Sequence, residues 1–242
     1  MGLNYSRGYN KCRSGMSSIR LIHNISSELK VNVSLDGNIR ARNVEYKDVS
    51  DYLEIEPGMH SIKIYDTETK ECISKLSTIV KVCRNKVYTI IITGLIDYFD
   101  TLKLLPIEDH KEAKSDENTS DENTPDENIS DEKSNALVRF IHAASGVYED
   151  GVDVWNRAGD GDLKVFEDYK YQEASKYVEV NPGTLSLLIA PTGSMDGVGP
   201  LEIEVKADKK YTIIASGVIG SEKYPINTIV AKDNDMLICL YK

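Results

Sequence analysis

Residues 52–64, Tyr-Leu-Glu-Ile-Glu-Pro-Gly-Met-His-Ser-Ile-Lys-Ile, return at 177–189 as Tyr-Val-Glu-Val-Asn-Pro-Gly-Thr-Leu-Ser-Leu-Leu-Ile. In the first copy Leu53 and Ile55 alternate with Glu54 and Glu56, then Ile62 and Ile64 alternate with Ser61 and Lys63. A period of two describes strands with one apolar and one wet face. Pro57 presets φ for the second position of a turn, and Gly58 supplies the positive φ that a type II turn needs next. The spacing therefore predicts a strand, a Pro-Gly hairpin turn and a returning strand, built twice. In the second copy Leu188 interrupts the polar face, which predicts a strand covered on both sides.

The flanking segments repeat as well. Residues 19–23 (Ile-Arg-Leu-Ile-His) match 138–142, 31–34 match 152–155, and Val-Tyr-Thr-Ile-Ile-Ile-Thr-Gly at 87–94 matches Lys-Tyr-Thr-Ile-Ile-Ala-Ser-Gly at 210–217. Asp36-Gly37 marks a tight hairpin. Turn signals at regular intervals and no amphipathic helix predict an all-β chain: two tandem antiparallel Ig-like β-sandwich domains joined by a disordered acidic linker. The boundaries expected are 1–17 for a flexible leader, 18–108 for repeat 1, 109–135 for the linker and 136–242 for repeat 2. Each repeat is long enough to bury a core of its own.

The net charge of -10 is concentrated in the linker, where Ser115-Asp-Glu-Asn-Thr recurs in five-residue steps. It holds almost nothing to bury, so chain entropy predicts an unfolded spacer. About 27 residues at ~3.3 Å each would span at most ~90 Å, leaving the domains free to reorient unless they dock. The rest is nearly neutral, without the basic footprint of a nucleic-acid binder. No apolar run reaches the length of a transmembrane helix. The first residues lack the apolar core of a secretory signal, although Met1, Gly2 and Ser6 fit the myristoylation pattern. The tail 237–241 is apolar and would add an edge strand or lie against its domain.

Val-Arg-Phe-Ile-His-Ala-Ala-Ser at 138–145, Val-Asp-Val-Trp at 152–155, the Tyr-Val-Glu-Val-Asn-Pro-Gly stretch and Lys-Tyr-Thr-Ile-Ile-Ala-Ser-Gly together resemble the domain-of-unknown-function 4397 family. The resemblance covers both copies. It implies a β-sandwich related to bacterial surface and exported proteins, often in tandem, and it carries no catalytic residues.

Candidate sites are few. His23 and His142 share one position in the two copies, and Asp153 would orient His142 as base or ligand. Asn32 stands in place of that carboxylate in repeat 1, so a structural histidine is the expectation. Ser145 lies near His142 but has no Gly-x-Ser-x-Gly elbow. Asn156, Asp160, Gly161, Asp162 and Glu167 sit at calcium-loop spacings, with Ala158 where an oxygen ligand is needed, so a hairpin turn is expected. Cys72 and Cys83 would face each other across paired strands. Sequons occur at Asn24 and Asn128. Trp155 and the tyrosines would stack on sugars if aligned on an exposed face, but Tyr88 and Tyr211 fall on the core face. We therefore expect no catalytic, cofactor-binding or metal-ligating residues and no cofactor. The function expected is a non-enzymatic structural or interaction module of a surface, coat or envelope layer, with a carbohydrate- or ligand-binding module as the alternative. Protein or polysaccharide partners are expected. The family resemblance suggests a surface or extracellular site, and the missing export signal leaves a cytoplasmic one open.

Overall fold

The computed structural model describes residues 15–109, 134–146, 151–159 and 161–233. Nearly all of the leader and linker, the myristoylation pattern, the Asn128 sequon, Asp160 and the tail 237–241 lie outside the described residues.

The first copy has eight strands: β1 (Ser17–Ile25), β2 (Val31–Leu35), β3 (Asn38–Val44), β4 (Leu53–Ile55), β5 (Gly58–Asp66), β6 (Thr78–Val82), β7 (Val87–Leu95) and β8 (Tyr98–Glu108). The second repeats them as β9 (Ala136–His142), β10 (Val152–Asn156), β11 (Leu163–Tyr169), β12 (Val178–Val180), β13 (Gly183–Pro191), β14 (Val198–Val205), β15 (Lys210–Ser216) and β16 (Asn227–Lys232). The sheet order β4-β1-β7-β8 and β3-β2-β5-β6 in copy 1 is reproduced as β12-β9-β15-β16 and β11-β10-β13-β14 in copy 2. Each copy is thus a sandwich of two four-stranded sheets, antiparallel except that β1 runs parallel to β7 and β9 to β15. Asp36-Gly37 forms the hairpin expected, with positive φ at both residues (51° and 80°), the requirement of a type I′ turn. Leu188 is buried. Among the described residues no helix is long and apolar enough to cross a membrane.

The Pro-Gly stretch is not a hairpin. β4 pairs with β1, whereas β5 pairs with β2 and β6 in the other sheet. β12 and β13 divide in the same way. Gly58 and Gly183 sit at φ 154° and 133°, far from the value of about 80° that folds a strand back on itself. The chain therefore leaves one sheet and enters the other, so Pro-Gly is the corner at which each sandwich is closed.

The two cores follow the alternation. Leu21, Ile25, Val33, Ile64, Tyr88, Ile90 and Ile92 fill the first, and Val138, Phe140, Val154, Leu187, Tyr211 and Ile213 the second. Tyr88 and Tyr211 are core residues as expected, and each hydroxyl accepts a backbone N–H five residues upstream, from Cys83 and Lys206.

A third apolar cluster joins the copies. Ile22 and Ile91, on the opposite face of copy 1's inner sheet, pack with Ile141, Ala143, Ile214, Ile229 and Ala231 of copy 2. The sandwiches are docked directly, the arrangement that leaves an extended spacer no part in setting their relative position. The stack has four layers, with the β4-β1-β7-β8 and β12-β9-β15-β16 sheets innermost. β7 and β15 are buried on both faces, which is why they read as nearly continuous apolar runs.

Candidate functional site

Among the described residues, a dense buried polar constellation lies in that docking layer. In β1 the period of two puts Arg20, Ile22 and Asn24 on the face away from the core, and β9 does the same with Arg139 and Ile141, continued by Ala143 just past its end. Arg20 pairs with Asp233 of copy 2, and Arg139 pairs with Asp109 of copy 1. All four side chains are at most 2% exposed. The arginines share two threonines: Arg20 donates to Thr89 (3.0 Å) and Thr212 (3.1 Å), and Arg139 to Thr212 (2.8 Å) and Thr89 (3.1 Å). Tyr177 donates to Asp233 at 2.5 Å and Tyr52 to Asp109 at 3.3 Å. Their rings lie against the guanidinium groups, Tyr52 on Arg20 at 4.8 Å and Tyr177 on Arg139 at 5.1 Å.

Each copy thus gives an arginine and receives one, the self-complementary pattern of a two-fold dimer realised within one chain. The aspartates are placed by equivalent backbone bonds, Asp109 N–H to the Val87 carbonyl and Asp233 N–H to the Lys210 carbonyl, both 2.8 Å. Burial pushes the Asp109 carboxyl up, opposed by the charge of Arg139. Burial works against the charge on Arg139, but Asp109 and its neighbours hold its pKa above the usual value. Tyr52 and Tyr177 are driven up by burial, so both phenols stay protonated as donors.

Sequence reasoning passed over these residues. The available signal was an arginine at the same place within an apolar strand in both copies, and an aspartate after each closing strand.

The residues singled out beforehand are not brought together. His23 and His142 are fully buried in separate cores, and neither ring nitrogen of either has a hydrogen-bond partner. Burial lowers both pKa values to about 4, so both rings are neutral at pH 7. His142 stacks on Phe140 and meets the edge of Tyr171. Ser145 approaches Tyr171 at 3.5 Å, not His142.

Asp153 lies in the outer sheet and accepts from the N–H of Asp168 (2.9 Å) and of Gly193 (3.0 Å) and from Lys164. Burial pushes its carboxyl up, but the Gly193 N–H, Lys164 and the Asp168 N–H together hold it below the usual range. Asn32 does the same work in copy 1, accepting from the Asn43 N–H at 3.0 Å. Asn43 and Asp168 both have positive φ (52° and 54°), where the β2–β3 and β10–β11 registers slip. The Asn32/Asp153 position therefore anchors a β-bulge and orients no histidine.

The calcium-loop residues serve the β10–β11 hairpin. Asn156 accepts from Ala158 and Ser186, Asp162 holds Arg157, and Glu167 holds Lys164. Among the described residues no group of three or more His, Cys, Asp or Glu is arranged to hold a metal ion. Cys72 and Cys83 are free and exposed, not paired. Asn24 of the first sequon is buried and donates across the docking layer to the Ala143 carbonyl at 2.7 Å. The Lys164 ammonium lies over the Trp155 ring at 4.9 Å.

A family model described as Domain of unknown function (DUF4397) matches residues 17–120 and again 126–236. No curated protein matches the chain. Solved structures similar to it include the C-terminal domain of AlgF from P. aeruginosa, at 20% identity and TM-score 0.29, over 42% of this chain and 100% of that one. A leucine-rich repeat protein from Bacteroides thetaiotaomicron is similar at 15% identity and TM-score 0.26, over 88% of this chain and 26% of that one. The Bacillus anthracis TIE protein is similar at 8% identity and TM-score 0.25, over 91% of this chain and 41% of that one.

Proposed function

The chain belongs to the DUF4397 family in both of its halves, and from that premise we propose that it is a non-enzymatic structural or interaction module of a surface, coat or envelope layer. The observation that carries the reading is the reciprocal Arg20–Asp233 and Arg139–Asp109 pairing in the docking layer. It turns two sandwiches into one rigid block whose outer sheets, β3-β2-β5-β6 and β11-β10-β13-β14, face opposite ways. A block with two outward faces suits bridging between neighbours, where a fixed separation matters more than chemistry. The polar residues that would serve a reaction have structural duties instead: Asp153 on a bulge, the buried arginines on their aspartates.

The alternative of carbohydrate stacking draws less support, because the Trp155 face is occupied by Lys164. Fractionation of cells that produce the tagged chain tests the proposal. Retention in a particulate or surface fraction, lost when exposed residues of the two outer sheets are changed, is the outcome expected. A chain found only as free monomer, or one that binds a soluble polysaccharide saturably through Trp155, would overturn it.

A further inference from the structure

The two outer sheets are built on one plan but carry opposite charge. In copy 1 the core takes Ile62, Ile64, Val80 and Val82, so the period of two turns Ser61, Lys63, Ile79 and Lys81 outward. Arg42 joins them from β3, next to Ala41, which packs against the core. In copy 2 Leu185, Leu187, Ile203 and Val205 face the core, and Thr184, Ser186, Glu202 and Glu204 face out. Glu167 joins them beside the core residue Phe166. The registers match these positions. Lys81 pairs with Met59 and Glu204 with Thr184, each one place past the corner glycine, so Lys81 corresponds to Glu204 and Ile79 to Glu202. Ala41 on Val33 corresponds to Phe166 on Val154, so Arg42 corresponds to Glu167.

The outward positions of β2, β3, β5 and β6 hold Arg42, Lys63 and Lys81 and no carboxylate. Those of β10, β11, β13 and β14 hold Asp153, Glu167, Glu202 and Glu204 against Lys164, which is already bonded to Asp153 and Glu167. Arg42, Lys63, Lys81, Glu202 and Glu204 are all exposed, and none has an ion-pair partner among the described residues. The basic face also leaves Met59 and Ile79, diagonal neighbours on β5 and β6, largely exposed. A like face does not suit a like face: two basic faces bring cations together, and two acidic faces bring carboxylates together. A basic face set on an acidic one pairs opposite signs. The arginine–aspartate layer holds the two faces on opposite sides of one stack, so a chain docked by one face still presents the other.

We propose that the basic outer face of copy 1 docks on the acidic outer face of copy 2 in a second molecule of this chain, and that the contact repeats head to tail. The proposal rests on the bridging role given above and names the neighbour that is bridged. A heterologous contact that does not close on itself generates an open array. Four sheets at ~10 Å spacing set a repeat of about 40 Å per molecule along the stack. Four strands ~4.8 Å apart and about six residues long make a face of roughly 400 Å², so the contact buries about 800 Å² in all, the low end for interfaces. Each contact is therefore weak and depends on concentration and on salt.

Sedimentation velocity of the purified full chain gives the test. At about 50 mM salt the mean sedimentation coefficient is expected to rise about twofold or more between micromolar and submillimolar chain. At about 500 mM salt, where screening leaves charges a reach of ~4 Å, it is expected to return to the monomer value. Arg42→Glu with Lys81→Glu, and separately Glu202→Lys with Glu204→Lys, are each expected to stay monomeric, with circular dichroism and Tm unchanged. An equimolar mixture of the two variants is expected to assemble again, because each then offers the other an opposite face. A wild-type chain monomeric throughout, association that survives in either variant alone, or a mixture that stays monomeric would overturn the proposal. A chain monomeric in solution yet retained in the particulate fraction of cells overturns self-docking alone and leaves the layer role to a different partner. Self-association in solution without that retention supports the docking and overturns the layer role.

Discussion

Replacing Arg20 by Met puts the docking layer to its hardest test. The change keeps most of the side-chain volume and leaves Asp233 about 2% exposed without its cation. Removing one member of a buried ion pair costs about 3–5 kcal/mol, because the remaining charge must be neutralised or left unpaired. Asp233 keeps the Tyr177 hydroxyl at 2.5 Å and Thr212 at 2.9 Å, which argues for the lower end, about 3 kcal/mol. For a chain of this size that is a fall in Tm of roughly 6–12 °C. The chain has one tryptophan, Trp155, and it lies in copy 2. Urea unfolding followed by Trp155 fluorescence therefore reports on the copy that was not mutated. The fluorescence midpoint is expected to fall together with the far-UV circular dichroism midpoint. Arg20→Met combined with Asp233→Leu is expected to recover most of the loss, since an apolar pair of similar volume replaces a buried ion pair at little cost. A loss under about 1 kcal/mol, or a Trp155 transition that stays put while the dichroism shifts, would refute the coupling of the two copies.

Three further outcomes are expected. The folded pKa values of His23 and His142 are about 4 against 6.5 when exposed, so the unfolded chain binds more protons between those values. Stability is full above pH 6.5 and is lost as pH falls toward 4. From pH 8 to pH 5 each histidine accounts for about 2 kcal/mol of that loss; His142→Leu should remove its share, seen as a smaller drop in the urea midpoint, and an unchanged pH dependence would contradict the reading. Asp153→Ala strands the Asp168 and Gly193 N–H groups and should cost about 2 kcal/mol or more, whereas Asp153→Asn should cost less than half as much because Asn32 does this work in copy 1; equal losses in denaturant unfolding would contradict it. Gly217 has φ 98°, and an added Cβ would stand 2.3 Å from the Pro225 carbonyl oxygen, so Gly217→Ala should lower Tm by several degrees, while Gly37→Ala, with open space around it, should lower it less.

The strands were legible because their cause is local. Alternation at 87–93 and 210–216 put Tyr88, Ile90, Tyr211 and Ile213 on the core side, where they lie. The Asp36-Gly37 hairpin followed from residue chemistry alone. The same alternation set Arg20, Thr89, Arg139 and Thr212 on the other face but was silent on what covers it. An arginine in an apolar strand reads equally as a solvated edge or as half of a buried pair whose partner lies 213 residues away, as Asp233 does from Arg20.

By itself the sequence determined an all-β chain built twice, the turn chemistry, and which side chains share a face, since each depends on residues a few positions apart. Only the tertiary structure decided that Pro57-Gly58 and Pro182-Gly183 lead from one sheet into the other, that Asp153 anchors a bulge and not His142, and that the copies lock through crossed arginines. Those outcomes depend on which surfaces meet, and a β-strand presents two faces and two edges whose partners its own residues do not name.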